Sequence, residues 1–304
     1  FDRRRAWKIA ATDKGADRHR ERSCVTQTVP AQEPVIADEP RSDFLALRRG
    51  GDHRGRVVVI AVGFVDEAFA AGKHVLVEKP MAVDPLSAGE VIEAAKKAKK
   101  TLMAAHVLRF FPEYDPLRDA ITKAGFGKLR MLTLRRRCGA PTWGEWFFDS
   151  AKSGGAILDL LIHDVDMVLS LLGAPVSLTS TGYRDMRRGI DSVSAHFVYE
   201  HGPSVVIDGG WVPPKGFPFS MGYTAVFDDA TLEFTSQGGG VVLHREGVEP
   251  EAQTLPVVDA YAAEIAYFLA CCAHGREPEK CPPEQSAQAI DLCLRMAEGR
   301  HAHH

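Results

Sequence analysis

The sequence predicts an α/β protein in two parts: a parallel-sheet domain, then an α+β domain built on a mainly antiparallel sheet. Three observations predict it. Apolar, β-branched runs at 57–62, 74–77 and 101–105 alternate with helix-like stretches, which is the strand–helix–strand pattern of a parallel sheet. After Gly127 the pattern changes to short strand-like runs separated by turns such as Glu200-His201-Gly202-Pro203 and Gly238-Gly239-Gly240. One long helical stretch interrupts this second half at 156–172, and two more close the chain.

The elements follow in order. Residues 1–56 hold eleven Arg, two Lys and nine acidic residues, with poor helical or strand periodicity, and read as loop-rich or weakly ordered. From Val57 to Val62 the chain is continuously apolar, as a buried parallel strand requires. A short helix is expected at 66–71, closed by Gly72, and a second buried strand at 74–77. Residues 85–99 form a helix with Ala88, Val91, Ile92 and Ala95 on one face. Lys96, Lys97, Lys99 and Lys100 lie near its C-terminal end, where the helix dipole favours cations. A third strand at 101–105 and a helix at 114–123 complete the first domain, 1–124, of which 1–56 is atypical. The second domain, 125–304, has strands expected at 129–137, 176–181, 192–199, 204–208, 223–227, 231–234 and 241–244. In the first closing helix Val258, Tyr261, Ala262, Ile265, Phe268, Leu269 and Cys272 make one apolar stripe. In the second, Ala287, Ile290, Leu294 and Ala297 do.

Composition excludes several classes. A hydrophobic content of 45% and a charged content of 25% are those of a soluble globular protein. The net charge of −3 supplies no field toward nucleic acid or an acidic membrane. No apolar run approaches the ~18 residues of a membrane span, and no secretory signal is expected, because the basic start at Arg3, Arg4 and Arg5 leads into no apolar stretch. The six cysteines form no C-x-x-C pair and no disulfide framework, which fits a reducing cytoplasm. The terminal His-Ala-His-His reads as a frayed tail or tag remnant, so no metal site is expected.

Four stretches can carry chemistry. In the helix that follows Ser153-Gly154-Gly155, the residues Asp159, His163, Asp166 and Ser170 recur at helical spacing on an otherwise apolar element. An acid one turn from an imidazole would raise its pKa and orient it for acid–base work near neutrality; the plainer reading is a satisfied structural pair. Glu78-Lys79-Pro80 stands at the C-terminal end of a buried strand, the edge where open parallel sheets bind ligands. Pro80 fixes that turn, and a cis bond there is one option. The stretch from Ala105 to Pro112 follows the next strand and opens on the same edge. Arg109 in it can hold a phosphate, carboxylate or polyol oxygen, or sit exposed over aromatic packing. Trp143, Trp146, Phe147 and Phe148 cluster before the glycine pair, as pocket lining or as core. Lys79, Asp159 and His163 are the catalytic candidates. Glu78, Lys79, Pro80, His106 and Arg109 are the cofactor candidates, and Lys79, Arg109, Trp146, Asp159 and His163 the substrate candidates.

In order along the chain, these segments resemble the glucose–fructose oxidoreductase / inositol dehydrogenase / rhizopine catabolism family. The resemblance rests on Ala71-Gly72-Lys73-His74-Val75-Leu76-Val77-Glu78-Lys79-Pro80, Arg109-Phe110, Ser153-Gly154-Gly155-Ala156 with Asp159 and His163-Asp164, and Tyr261, Glu264, Ile265 and Phe268 before Gly275 and Pro278. It implies a Rossmann domain that binds NAD or NADP, followed by a domain with a large open sheet used for homo-oligomerisation. It implies that Lys79 and His163 contact the substrate hydroxyl, with His163 as general base in oxidation or acid in reduction, Asp159 orienting it and Lys79 stabilising the alkoxide. The family's G-x-G-x-x-[GA] turn has no counterpart before Val57, and Gly50-Gly51-Asp52-His53-Arg54-Gly55 has the wrong spacing.

The leading expectation is therefore an NAD(P)-dependent oxidoreductase acting on a sugar, cyclic polyol or derivative in the cytoplasm, with no nucleic-acid or membrane partner. Two alternatives stand beside it: an NAD-assisted glycosidase on the same fold, and a cofactor-poor, inactive relative that senses a sugar or binds a protein.

Overall fold

The computed structural model describes residues 32–36, 45–49, 57–60, 64–142, 145–149 and 153–302; for the first three stretches and for Glu145, Trp146 and Ala302 it describes the backbone alone. The Gly50 to Gly55 stretch, Cys24, Arg3 to Arg5, Trp143, the Trp146 side chain and the last two histidines lie outside the described residues.

A five-stranded sheet runs in the order β1 (Gln32–Ile36), β2 (Leu45–Arg49), β3 (Val57–Ile60), β4 (His74–Val77), β5 (Leu102–Ala104). β3, β4 and β5 are parallel, while β1 and β2 join antiparallel beside β3. The two strands within 1–56 were not legible, because residues such as Gln32 to Ile36 and Leu45 to Arg49 show neither alternation nor a sustained apolar run. Helices α1 (Val65–Ala70) and α2 (Pro85–Ala98) cross between the parallel strands. α2 starts where Asp84 accepts the Ser87 N–H at 2.8 Å with Pro85 in the first turn, and it buries Ala88, Ile92 and Ala95. Helix α3 (Asp115–Lys123) follows and ends at Ala124 in the left-handed region, φ 47°.

The second sheet has nine strands in the order β13 (Val248–Ala252), β12 (Gly240–Arg245), β11 (Thr231–Thr235), β10 (Ser220–Phe227), β6 (Leu129–Cys138), β9 (Ser204–Trp211), β8 (Ile190–Val198), β7 (Ser177–Asp185), β14 (Arg300–Ala302). Only β6 with β9 and β14 with β7 pair in parallel. The sheet is therefore mixed, and mainly antiparallel as expected. β14 corrects the reading of the C-terminal end as a frayed tail, since Arg300, His301 and Ala302 pair with Gly182, Tyr183 and Arg184. Alternation in β8 and β9 sends Val193, Ala195, Phe197, Val205 and Ile207 to one buried face. That face is covered by a π-helical turn (Ile157–Leu161), helix α4 (Ile162–Leu172) and the last helix, α6 (Pro283–Glu298). α6 also packs on α2 and β5, so one apolar core runs continuously from the first sheet to the second.

Helix α5 (Ala260–His274) corrects a predicted stripe. It buries Ala260, Glu264, Phe268 and Cys271, leaving Tyr261 62% exposed. The inward face is rotated by one position, and a glutamate is carried inside with it. The five cysteines among the described residues are free thiols, and no described helix is long and apolar enough to cross a membrane.

Candidate active site

Strand β4 is buried along Val75, Leu76 and Val77 and delivers Glu78, Lys79 and Pro80 to its C-terminal edge, where the Lys79–Pro80 bond is cis. The Lys79 Nζ donates to the main-chain carbonyl of Asp159 and lies 3.5 Å from the Asp159 Oδ1. Both side chains keep some access, 19% for Lys79 and 32% for Asp159, as groups that meet a ligand must.

The helix carrying Asp159 and His163 is not a continuous α-helix. Ile157–Leu161 is a π turn, and α winding begins at Ile162. In a π turn hydrogen bonds close i→i+5, so the α-helical rule that stacks i over i+4 does not hold across Asp159 and His163. Asp159 turns to Lys79, and the charges that bear on His163 are those of Lys79, Arg136 and His106. The expectation that a neighbouring carboxylate raises the His163 pKa is corrected. Burial first, then those three cations or potential cations, push it well below 6.5. His163 is a neutral imidazole at neutral pH, and its Nδ1 is buried with no partner among the described residues.

His106, just beyond β5, is a second buried imidazole in reach of both groups. Its Nε2 lies 2.9 Å from the Ser286 Oγ and 3.5 Å from the Asp166 Oδ1. Burial pushes its pKa down to about 4; Asp166 opposes this, and Arg109 and Lys79 reinforce it. Among the described residues its Nδ1 also has no partner.

The other acids of the stripe are structural in this fold. Asp166 takes a two-pronged bond from Arg109, Nε at 2.7 Å and Nη2 at 2.6 Å, and Arg109 Nη1 donates to the Lys280 carbonyl at 2.7 Å. Arg109 is 3% exposed with its fork fully engaged, so the structure places it under the site rather than facing a ligand. Asp164 pairs the same way with Arg136, at 2.6 and 3.0 Å. Ser170 donates to the Met167 carbonyl within its own helix at 2.8 Å. Phe147 and Phe148 stack edge-on against the buried Trp211, with centroids 6.1 and 6.2 Å away, which is core packing.

Sequence reading named Glu264 only within the family resemblance and not as a site residue. It is 3% exposed on α5, and its Oε1 has no partner among the described residues. Burial, then the charges of Glu78 and Asp166, raise its pKa to about 8. Glu78 is itself shifted upward by desolvation of its carboxyl, against the pull of Lys79. A charged residue inside an apolar stripe was the available signal. Cys138, at the end of β6, is another wall of the site: burial and then the Asp159 charge push its thiol up to about 11.

The arrangement provides an amine, a partly exposed carboxylate and two neutral imidazoles beyond the C-terminal edge of a parallel sheet. Comparison with known proteins agrees with the geometry. Residues 62–106 match the model of the oxidoreductase family with NAD-binding Rossmann fold, and residues 114–240 that of the GFO/IDH/MocA C-terminal domain. UDP-N-acetylglucosamine 3-dehydrogenase of Acidithiobacillus ferrooxidans is 33% identical over 236 residues, 75% of this chain and 72% of that protein. D-glucoside 3-dehydrogenase of Escherichia coli is 36% identical over 110 residues, 36% of this chain; the match spans only 31% of that relative's length. Among solved structures, KijD10, a 3-ketoreductase from Actinomadura kijaniata in complex with NADP and TDP-benzene, superposes with a TM-score of 0.69 at 20% identity, covering 79% of this chain and 75% of that one. With both halves matched in order and a relative of this identity aligned over most of its length, the chain belongs to the GFO/IDH/MocA oxidoreductase family.

Proposed function

We propose that this chain is an NAD(P)-dependent dehydrogenase or reductase acting on a hydroxyl or carbonyl carbon of a sugar, cyclic polyol or derivative. The observation that carries it is the meeting of Lys79 with Asp159, 80 residues apart in sequence, beside a neutral His163. The residues present fit the nicotinamide half of the cofactor. His163 Nδ1, His106 Nδ1 and Glu264 Oε1 are buried polar atoms with no partner among the described residues around the ends of β4 and β5, and buried polar groups of that kind call for a ligand or water. Lys79, Glu78 and His106 would lie along that half.

The cofactor, when bound, accepts or delivers the hydride. The protein supplies the rest. Lys79, anchored by the Asp159 carbonyl, presents a fixed positive charge that stabilises the alkoxide of the substrate as its proton leaves. His163, neutral because it is buried beside Lys79 and Arg136, accepts that proton in oxidation and returns it in reduction. Asp159 holds the amine in place and keeps an exposed oxygen for a neighbouring hydroxyl of the sugar.

The relatives favour this dehydrogenase reading over a glycosidase or an inactive sensor. In the same reading, residues 1–124 serve the nucleotide and 125–304 the substrate. The outer face of the nine-stranded sheet, where Met131 is 49% exposed, pairs copies of the chain in the cytoplasm. The test is turnover of NAD⁺ and NADP⁺ followed at 340 nm against nucleotide sugars, glucosides and inositols. Lys79→Ala and His163→Ala are each expected to lower kcat/KM by about 10²–10⁴-fold. Turnover unchanged in both variants would overturn the assignment, and light scattering of the same sample tests the pairing.

A further inference from the structure

We propose that Asp191 and Arg300 form a latch that positions the turn bearing Asp159, and through it the Lys79 amine; the functional consequence rests on the dehydrogenase reading. Asp191 sits near the start of β8 with its side chain fully buried. Its Oδ2 accepts the Ala156 N–H at 2.8 Å, at the entry to the π turn. Its Oδ1 takes a charge-assisted bond from Arg300 Nη1, and Arg300 Nε donates to the Ala297 carbonyl at 3.0 Å. The Arg300 side chain is 8% exposed, so the ion pair is sealed inside the protein.

The glycines around it show how closely it fits. Gly155 has φ +72°, and a Cβ there would stand 2.2 Å from the Asp191 Oδ2. A Cβ on Gly182 would stand 3.1 Å from the Arg300 Cγ, and one on Gly299 would meet the Ser180 carbonyl oxygen at 2.3 Å. Glycine is therefore required both where the chain passes the carboxylate and where β14 lies against β7. The carboxylate also offsets the positive end of the helix it caps.

The consequence runs along the chain. Asp191 fixes the Ala156 amide, the π turn starts there, and three residues later the Asp159 carbonyl receives the Lys79 Nζ. Among the described residues, Asp191 and Arg300 bond to neither the Lys79 amine nor the His163 imidazole; they are positioning residues. A loosened turn misplaces Lys79 and lets water reach His163, whose low pKa arises first from burial.

The test uses the full chain with Asp191→Asn, Arg300→Lys and Arg300→Met. Amide hydrogen exchange over 154–164 is measured without substrate. kcat, KM and the pH profile are then measured with a sugar the wild type turns over, and nucleotide affinity by NAD(P)H fluorescence. Expected in Asp191→Asn and Arg300→Met are exchange and kcat each changed by about tenfold or more. The acid limb of the rate profile should move up toward 6.5 and nucleotide affinity should hold, while Arg300→Lys recovers most of the loss. Exchange and acid limb equal to wild type, with only the melting temperature lowered, would overturn the latch. If Asp191→Asn does not fold, the Arg300 pair decides. A wild type that turns over no sugar sinks the dehydrogenase reading instead, and the exchange measurement still judges the latch.

Discussion

Replacing His106 by Asn should make the protein less sensitive to acid. His106 is 1% exposed, and burial holds its pKa near about 4 in the fold. In the unfolded chain the same imidazole titrates at its ordinary 6.5. Between those two values the unfolded chain binds a proton that the folded protein refuses. The group therefore opposes unfolding fully above pH 6.5, and that contribution is lost as pH falls from 6.5 to about 4. At about 1.4 kcal/mol per pH unit, the window amounts to about 3 kcal/mol. For a chain of this size that corresponds to a fall in Tm of about 6–9 °C. The assay is urea unfolding at pH 7.5 and pH 4.0 for wild type and His106→Asn. Asn loses packing, so the variant is less stable at both, but its decline between the two pH values should be smaller than that of the wild type by about 3 kcal/mol. His163 acts in the same direction in both proteins and cancels from the comparison. Equal declines would mean that water or a proton reaches His106 in the fold, and the account of a dry, neutral imidazole would fail.

Three further outcomes follow from the buried charges. Arg136→Met strands Asp164 without its partner and should lower stability by about 3–5 kcal/mol, whereas the double change Arg136→Met with Asp164→Leu regains most of it; urea midpoints decide, and a double variant no better than the single contradicts the pairing. Arg109→Lys cannot reproduce the fork on Asp166 and should lower stability by about 1.5–3 kcal/mol with nucleotide affinity unchanged. A loss of about tenfold in NAD(P)H affinity would instead place Arg109 against the cofactor. Glu264→Gln should stabilise the protein increasingly as pH rises from 4.5 to about 8, because the wild-type carboxyl is held protonated in the fold and that contribution is lost as pH climbs through the window. Parallel Tm curves for the two proteins would rule out an uncharged Glu264.

Local chemistry wrote much of this fold legibly. Parallel strands are buried on both faces and so read as apolar runs; strands at Val57–Ile60, His74–Val77 and Leu102–Ala104 lie where such runs predicted them. The helix expected at 85–99 lies at Pro85–Ala98, and the Asp84 side chain that starts it accepts the Ser87 N–H three residues on. β13 and β14 were invisible because Val248 to Ala252 is exposed throughout, and Arg300 to Ala302 has no pattern beyond its pairing with β7.

By itself the sequence determined the order of most elements, the parallel and antiparallel halves, and the candidate residues Lys79, Asp159 and His163, since these follow from periodicity and from which side chains interrupt it. Only the tertiary structure decided who pairs with whom. Asp166 goes to Arg109, Asp164 to Arg136, Asp191 to Arg300 and Asp159 to Lys79, each across 28 or more positions of chain. The reason is physical. A π turn changes the angular spacing of a helix without a clear mark in composition, and a buried charge takes its partner from whichever strand or helix the fold packs beside it. His163 is neutral for the same reason: its pKa is set by burial and by three residues from other elements, and only folding brings those together.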